Sequence, residues 1–577
     1  MDATRQTLFA GGLQAEYERE LSVIRSESLL GRLWAQDVTL WPSGEAGTQH
    51  LKSNLEFLHI PEKLLQLVAG ALQTNSETLS QSLTHRILIV FGSVYHFCEA
   101  LLNVQPDIKG QKCIILDSCH PNSIRDVESQ VEPRKTLVVL VNKSAYRLED
   151  HALFLYFQKR LREELAGSSA GHFVAASQKN TLLASAASQY DFRYLLELPP
   201  GILAPYCSVI HLGVLLPALA GVEIEALRIA CREMKKRYAD ASTSVENPVC
   251  EIASLLSATS KSGRPFLTFI APPSLAPFAS ALCRLVGGSI GKSRGLFPLA
   301  ITAPCVTEPF ESVSSFVILK NSAEEAPHLA QCCVDLKGRR VPFLELVVAD
   351  PLDLLRHTFC WQMATVLAAA RMGIDPFDSG DVRLPRTLAA EMINGLSAGK
   401  ATLQRRPRIQ EKEIQLFAEA RARQEVSQLN LTECLASFFE HRGRASYLGL
   451  FVFLGQTQET QTQLGALRDE LSRSLGLPVL LAWGARSMET YGYFLRDGAA
   501  QGFVLVVTGD SQFDIKIPGA AYSFGQLYRV LTLAQFEAMS EKSGLALRLH
   551  LCSQTPESLL ELRNIVTQAL RRVGRLT

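Results

Sequence analysis

Four short apolar runs, RILIVFG (86–92), KCIILDS (112–118), TLVVLVN (136–142) and HFVAAS (172–177), end in small or polar residues, and each is followed by a longer stretch of helical period. A second group follows: FLTFIAP (266–272), FPLAI (297–301), SFVILK (315–320) and FLELVVA (343–349). A third comprises GLFVFLG (449–455), VLLAWG (479–484), FVLVVT (503–508) and LRLHL (547–551). Runs this short, without polar alternation, read as strands buried on both faces. Their alternation with helical segments implies βαβ units and parallel sheets covered by helices. Residues 254–263, rich in Ser, Thr and Lys, read as the join between the first two groups. The charged stretch between Gly399 and Gln428 reads as a solvated helix face.

A chain of 577 residues exceeds one hydrophobic core and implies about three domains. The expected class is α/β. An N-terminal helical segment (1–65) precedes two parallel-sheet domains flanked by helices (66–250 and 251–435), and an α/β C-terminal segment (436–577) follows. The net charge of +1 gives no electrostatic case for nucleic acid or an anionic membrane. The first residues carry no apolar run of signal-peptide length, and the most apolar stretch, 210–224, holds His211 and Glu223 and is too short to span a bilayer. Thirteen scattered Cys with no C-x-x-C pair read as reduced thiols, which points to a cytoplasmic protein without a zinc site. No metal or cofactor is expected. A run at Gly287 to Ser293, GGSIGKS, lacks the spacing of a nucleotide phosphate loop.

Residues 480–502, LLAWGARSMETYGYFLRDGAAQG, supply the most specific signal. Gly484, Arg486, Gly492, Gly498 and Gly502 fit without a gap the segment G-P-R-F-L-H-S-T-G-Q-L-H-K-G-G-P-N-T-G. That segment belongs to glucose-6-phosphate isomerases of the kind fused behind bacterial transaldolases. The resemblance extends along the chain. Trp34, Ala35, Asp37, Thr39, Leu40 and Trp41 are similar to the family's "W-A-K-D-x-T-L-W", and Asn54, Leu55 and Leu58 to its "N-R-L-G-W-L". DSCHP (117–121) stands where the family has "DSTDP", and GIDPFDSGDV (373–382) where it has "G-I-N-P-F-D-Q-P-D-V"; IPG (517–519) and YSFG (522–525) follow. The resemblance implies two sugar-isomerase (SIS) domains, a sugar-phosphate ligand and, as in the family, a homodimer.

It also implies a site whose chemistry has changed. The family's His-Lys pair falls on Leu495 and Arg496, and a guanidinium stays charged and cannot shuttle a proton near neutrality. The Arg that steadies the enediolate falls on Pro205, which donates no hydrogen bond. The catalytic carboxylate of "E-Q-L-I-A-E-S-T-G-K" falls on Gly288, with Cys283 at the earlier Glu. The "R-W-E" triplet becomes Cys360-Trp361-Gln362. The phosphate loop "S-K-S-G-T-T-L-E" retains Lys143 and Ser144, but Ala145, Tyr146 and Arg147 replace its Gly and Thr residues. The glycine-rich "G-M-G-G-S-S" becomes Phe91-Gly92-Ser93-Val94-Tyr95-His96, and His96 reads as a surface or partner contact.

Three functional readings follow. The first is an isomerase-like pseudoenzyme that binds sugar phosphate through Lys143, Ser144, Arg147, Lys292, Arg486 and Arg496, or docks a protein partner. The second is a working isomerase. The third is a rebuilt site using Glu489, Asp497 or Cys283.

Overall fold

The computed structural model describes residues 6–42, 47–64, 66, 83–105, 111–142, 148–165, 167, 169–220, 222–239, 247–292, 295–302, 310–378, 383–399, 406–418, 430–441, 445–484, 502–543 and 546–573. These fall into two compact units. One comprises residues 1–115, 132–147 and 161–380; the other comprises 116–131, 148–160 and 381–577. The two five-stranded sheets belong to the first and a six-stranded C-terminal sheet to the second.

In the first unit, β2 (His85–Val90), β3 (Lys112–Leu116), β4 (Thr136–Asn142), β5 (Phe173–Ser177) and β6 (Tyr194–Glu197) lie in the order β3-β2-β4-β5-β6. The pairs from β2 through β6 are parallel. β7 (Phe266–Ala271), β8 (Phe297–Thr302), β9 (Ser314–Asn321) and β10 (Phe343–Val348) repeat the pattern as β8-β7-β9-β10. The fifth place of this sheet is taken by β1 (Gln6–Phe9), antiparallel to β10 with Gln6 opposite Leu346. Helices bury both sheet faces. The helix Pro351–Met372 follows β10 and is apolar nearly all round, with Leu354, Phe359, Trp361 and Leu367 fully buried. Asp350 caps its first turn, and Gly373 ends it in the left-handed conformation.

The second unit carries β11 (Ile409–Glu411), β12 (Ile414–Ala418), β13 (Tyr447–Phe453), β14 (Val479–Trp483), β15 (Gly502–Gly509) and β16 (Ala546–Leu551), ordered β11-β12-β16-β15-β13-β14. The strands from β14 to β16 are parallel, and the β11–β12 hairpin adds antiparallel to β16. The helices Leu431–Glu440 and Gln458–Leu475 both begin with capping boxes, and Leu435, Phe439, Leu467 and Leu471 enter the core.

Several expectations are corrected. Residues 254–263 are no join: they lie mainly in the helix Pro248–Lys261, which Asn247 caps and which is almost wholly buried. Within 399–428 the described residues form strands β11 and β12, not a helix face. The N-terminal segment is not purely helical, because β1 precedes its helices. A fifth strand, β6, joins the first sheet beyond the four runs seen in the sequence. His96 is buried, edge-on to Tyr95 at 5.1 Å between ring centroids, and is no surface contact.

Candidate functional site

In the first unit the entry segment positions the loop that holds Pro205. Asp37 accepts a hydrogen bond from the Thr39 amide at the turn Val38–Leu40, and Trp41 Nε1 donates to the Val366 carbonyl at 2.9 Å. Asn54 Oδ1 accepts from the Leu203 amide at 2.8 Å and so fixes the start of the turn Ala204–Cys207. Gln362 stands where the resemblance places a family Glu, and its amide donates to the Pro205 carbonyl at 2.8 Å. The next residue, Tyr206, shares a 2.7 Å hydroxyl hydrogen bond with Ser289 on the helix Ala276–Ile290. Tyr206, Ser289, Gln362 and Trp361 are all buried. The rings of Phe57 and Phe377 each lie 4.9 Å from that of Tyr206.

The titratable groups among these are poorly suited to move protons. Burial pushes the Tyr206 phenol and the Cys283 thiol well above their ordinary ranges. Gly288 lies on the same helix, and a Cβ built there would meet no atom within 4 Å, so the position is open but bears no side chain. Lys292 Nζ donates to the Asp375 carbonyl at 2.6 Å and lies 3.6 Å from the Asp378 carboxylate. It thus anchors the turn of the GIDPFDSGDV segment.

Open α/β sheets bind ligands at the carboxyl ends of their strands, where the strand order reverses. In the second sheet that point lies between β7 and β9. There Asn321 Nδ2 donates to the Ser274 hydroxyl at 3.3 Å, and Ser274 donates to Glu324. In the first sheet it lies between β2 and β4, where Val94 and Tyr95 are buried after Gly92. Lys143, Ser144, Arg147, Arg486, Glu489, Leu495, Arg496 and Asp497 lie outside the described residues. Of the expected site positions that are described, Pro205 and Gly288 are each followed in the chain by one partner of the Tyr206–Ser289 bond, Cys283 lies on the same helix as Gly288, and Lys292 is bonded to the Asp375 carbonyl.

The second unit holds a cavity of about 770 Å³ that the sequence reading did not find. Its lining includes Phe453 at the end of β13, Thr508 and Gly509 at the end of β15, and Arg548 and His550 on β16. Residues two apart on a strand share a face, so Arg548 and His550 point the same way. In register, Arg548 lies beside Phe417 and Val506, and His550 beside Gln415 and Thr508. Arg548 is buried; it donates to Thr508 Oγ1 at 3.3 Å, and its guanidinium lies 3.8 Å from the Phe417 ring centroid. His550 Nδ1 shares a 2.9 Å hydrogen bond with Thr508, and its Nε2 lies 3.3 Å from Asp510. Burial works against the Asp510 carboxylate, but His550 and Arg529 outweigh it and hold its pKa at about 2.

Two segments noted for their resemblance converge on this cavity. DSCHP contributes His120 and Pro121, and YSFG contributes Gly525. His120 is buried edge-on against Tyr528 at 4.9 Å, its Nδ1 accepting from the Asn122 amide at 3.1 Å. Burial lowers its pKa to about 4. A polar pair inside an apolar strand run, Arg548 and His550 in LRLHL, was the available signal.

The fold is an α/β arrangement of two five-stranded, mainly parallel sheets and a further six-stranded sheet, and the chain resembles the glucose-6-phosphate isomerase family. It is similar to the glucose-6-phosphate isomerase of Rubrobacter xylanophilus, 28% identical over 127 residues, which are 22% of this chain and 29% of that protein. The match thus spans less than a third of the relative's length. No family model matches the chain. Among solved structures, a hypothetical protein of Thermus thermophilus shares the fold with a TM-score of 0.55 and 19% identity, covering 67% of this chain and 99% of that one. A glucose-6-phosphate isomerase of Chlamydia trachomatis gives a TM-score of 0.49 at 18% identity, over 67% of this chain and 85% of that one. No described helix is long and apolar enough to cross a membrane.

Proposed function

We propose that this chain is a pseudoenzyme of the sugar-isomerase type: it keeps the isomerase fold, has lost aldose–ketose isomerisation, and acts as a sugar-phosphate-binding regulator or docking module in the cytoplasm. One observation carries the reading. The positions that resemble the family's base and enediolate Arg are Gly288 and Pro205; the next residues, Ser289 and Tyr206, bond each other, and the Tyr206 ring packs against Phe57 and Phe377. Aldose–ketose isomerisation needs a group that carries a proton between C1 and C2 and a donor that stabilises the enediolate. Neither Gly288 nor Pro205 has a side chain able to supply these.

In this reading the inherited domains run over 66–250 and 251–435 with a C-terminal segment at 436–577, β1 and the β11–β12 hairpin adding to the second and third sheets from outside those bounds, and any sugar phosphate is held by Lys143, Ser144, Arg147, Lys292, Arg486 and Arg496. A homodimer is the assembly the resemblance suggests. The deciding measurement is a coupled assay of purified protein with glucose 6-phosphate and fructose 6-phosphate. Conversion at background rate is expected. Turnover above background that disappears in Glu489→Ala or Asp497→Ala would establish the third reading, an enzyme with a rebuilt site.

A further inference from the structure

We infer that the cavity of the second unit is a binding site for a small, hydroxyl-rich molecule bearing an oxyanion. Pro205, Cys283, Gly288 and Lys292 are not among the residues that line it. Three independent observations point there.

The first is placement. The order β14-β13-β15-β16 reverses between β13 and β15, and the cavity opens on the carboxyl ends of those two strands, at Phe453 and Thr508–Gly509. A doubly wound sheet leaves a crevice there because successive crossovers leave on opposite faces. The volume of about 770 Å³ lies within the range of small-molecule sites, roughly 300–1,000 Å³.

The second is charge. Arg406, Arg529 and Arg548 line the cavity with Asp510 and Asp514. Asp514 is already committed: its carboxylate accepts from the Ile515 and Gly525 amides, both at 2.7 Å, and from the Ser523 hydroxyl. Asp510 is engaged by Arg529 and His550. The lining therefore carries more guanidinium than carboxylate, and guanidinium matches the planar, bidentate geometry of phosphate and carboxylate.

The third is preorganisation. Arg548 is buried and steered from two sides, by Thr508 and by the Phe417 ring. Glycine lets the backbone come close at two edges: a Cβ on Gly509 would lie 2.8 Å from Gln554, and one on Gly525 would lie 2.8 Å from Asp514. Gln415, Ser511 and Gln526 add neutral donors and acceptors that suit hydroxyls.

The test is calorimetric titration of the full chain with four probes: inorganic phosphate, glucose 6-phosphate, gluconate and glucose. Saturable binding of at least one anionic probe and none of glucose is expected. Arg406→Ala, at an exposed position, and Arg529→Gln should each weaken that binding by about tenfold, while Lys179→Ala, an exposed lysine of the first unit, leaves it unchanged. Glucose 6-phosphate against gluconate then tells phosphate from carboxylate. The inference is overturned if no anionic probe saturates at millimolar concentration, if glucose binds as well as the anions, or if both arginine variants bind like wild type. Loss of binding in Lys292→Ala alone would move the ligand to the isomerase-like positions and overturn it too. The isomerase assay is a separate readout, so the two readings fail separately.

Discussion

Two residues show how much a single position's surroundings decide. His120 sits at the start of the helix Pro121–Ser129 with its Nδ1 accepting from the Asn122 amide, and burial lowers its pKa from 6.5 to about 4. The folded protein thus favours the neutral ring, while the unfolded chain binds a proton near 6.5. Stability from this group is complete above pH 6.5 and is lost as pH falls toward 4, by about 3 kcal/mol across the window. His120→Asn keeps an N-cap acceptor and removes the titration. Urea midpoints measured from pH 7 to pH 4 should fall less steeply in the variant; equal slopes would show that other groups govern acid lability. Gly288 is the opposite case, since its Cβ direction is open. Gly288→Ala should therefore stabilise by about 0.5–1 kcal/mol through helix propensity, whereas Gly525→Ala, facing Asp514 at 2.8 Å, should destabilise. Chemical denaturation of both variants checks the contrast. Gly288 was legible in the sequence as the position where the resemblance places the family's base. That its surroundings are open while Ser289 beside it is tied to Tyr206 was not, because the two partners are 83 residues apart.

Elements that are buried on both faces were legible, and those that are not were missed. β4, β7, β13 and β15 are nearly continuous in apolar residues because helices cover both sides of a parallel sheet. β1, with only QTLF, and the β11–β12 hairpin, written IQE and IQLFA, sit at sheet edges where polar residues are tolerated, so no period gave them away. Besides the buried Tyr17 and Ile24, one carboxylate ties the N-terminal helix Gln14–Ser26 to two others: Glu20 is buried and engaged by Lys261 of the helix Pro248–Lys261 and by Arg371 of the helix Pro351–Met372 at 2.8 Å. Such a link between distant segments leaves no trace in local pattern. Glu20→Ala leaves two cations without their shared partner and should cost about 2 kcal/mol, read as a lowered denaturation midpoint. In the third sheet, Leu549 of β16 is fully buried, and Leu549→Ala should cost about 2–5 kcal/mol. An effect under about 1 kcal/mol would mean that the neighbouring side chains collapse into the space.

Across the molecule, one strand order recurs: β3-β2-β4-β5, β8-β7-β9-β10 and β14-β13-β15-β16 all place the second strand outside the first. A reversal point thus occurs in each sheet, and the second and third differ. At the second, Ser274, Asn321 and Glu324 bond one another; at the third, a cavity remains. The proposed loss of isomerase chemistry has two possible origins, removal of a few reacting groups from an open site or repacking of the site itself. Gly288→Glu separates them. The open Cβ direction at Gly288 gives the carboxylate room, so the variant should fold with an unchanged denaturation midpoint to within about 1 kcal/mol. A restored general base is worth roughly 10²–10⁴-fold where the remaining site is intact. Here Pro205 still offers no donor to an enediolate, and Gln362 and Tyr206 remain bonded to groups within the protein. The coupled assay should therefore show Gly288→Glu at the same background rate as wild type. A rise above wild type on glucose 6-phosphate would show that binding and charge stabilisation persist, that only the base is missing, and that the repacked-site reading is wrong.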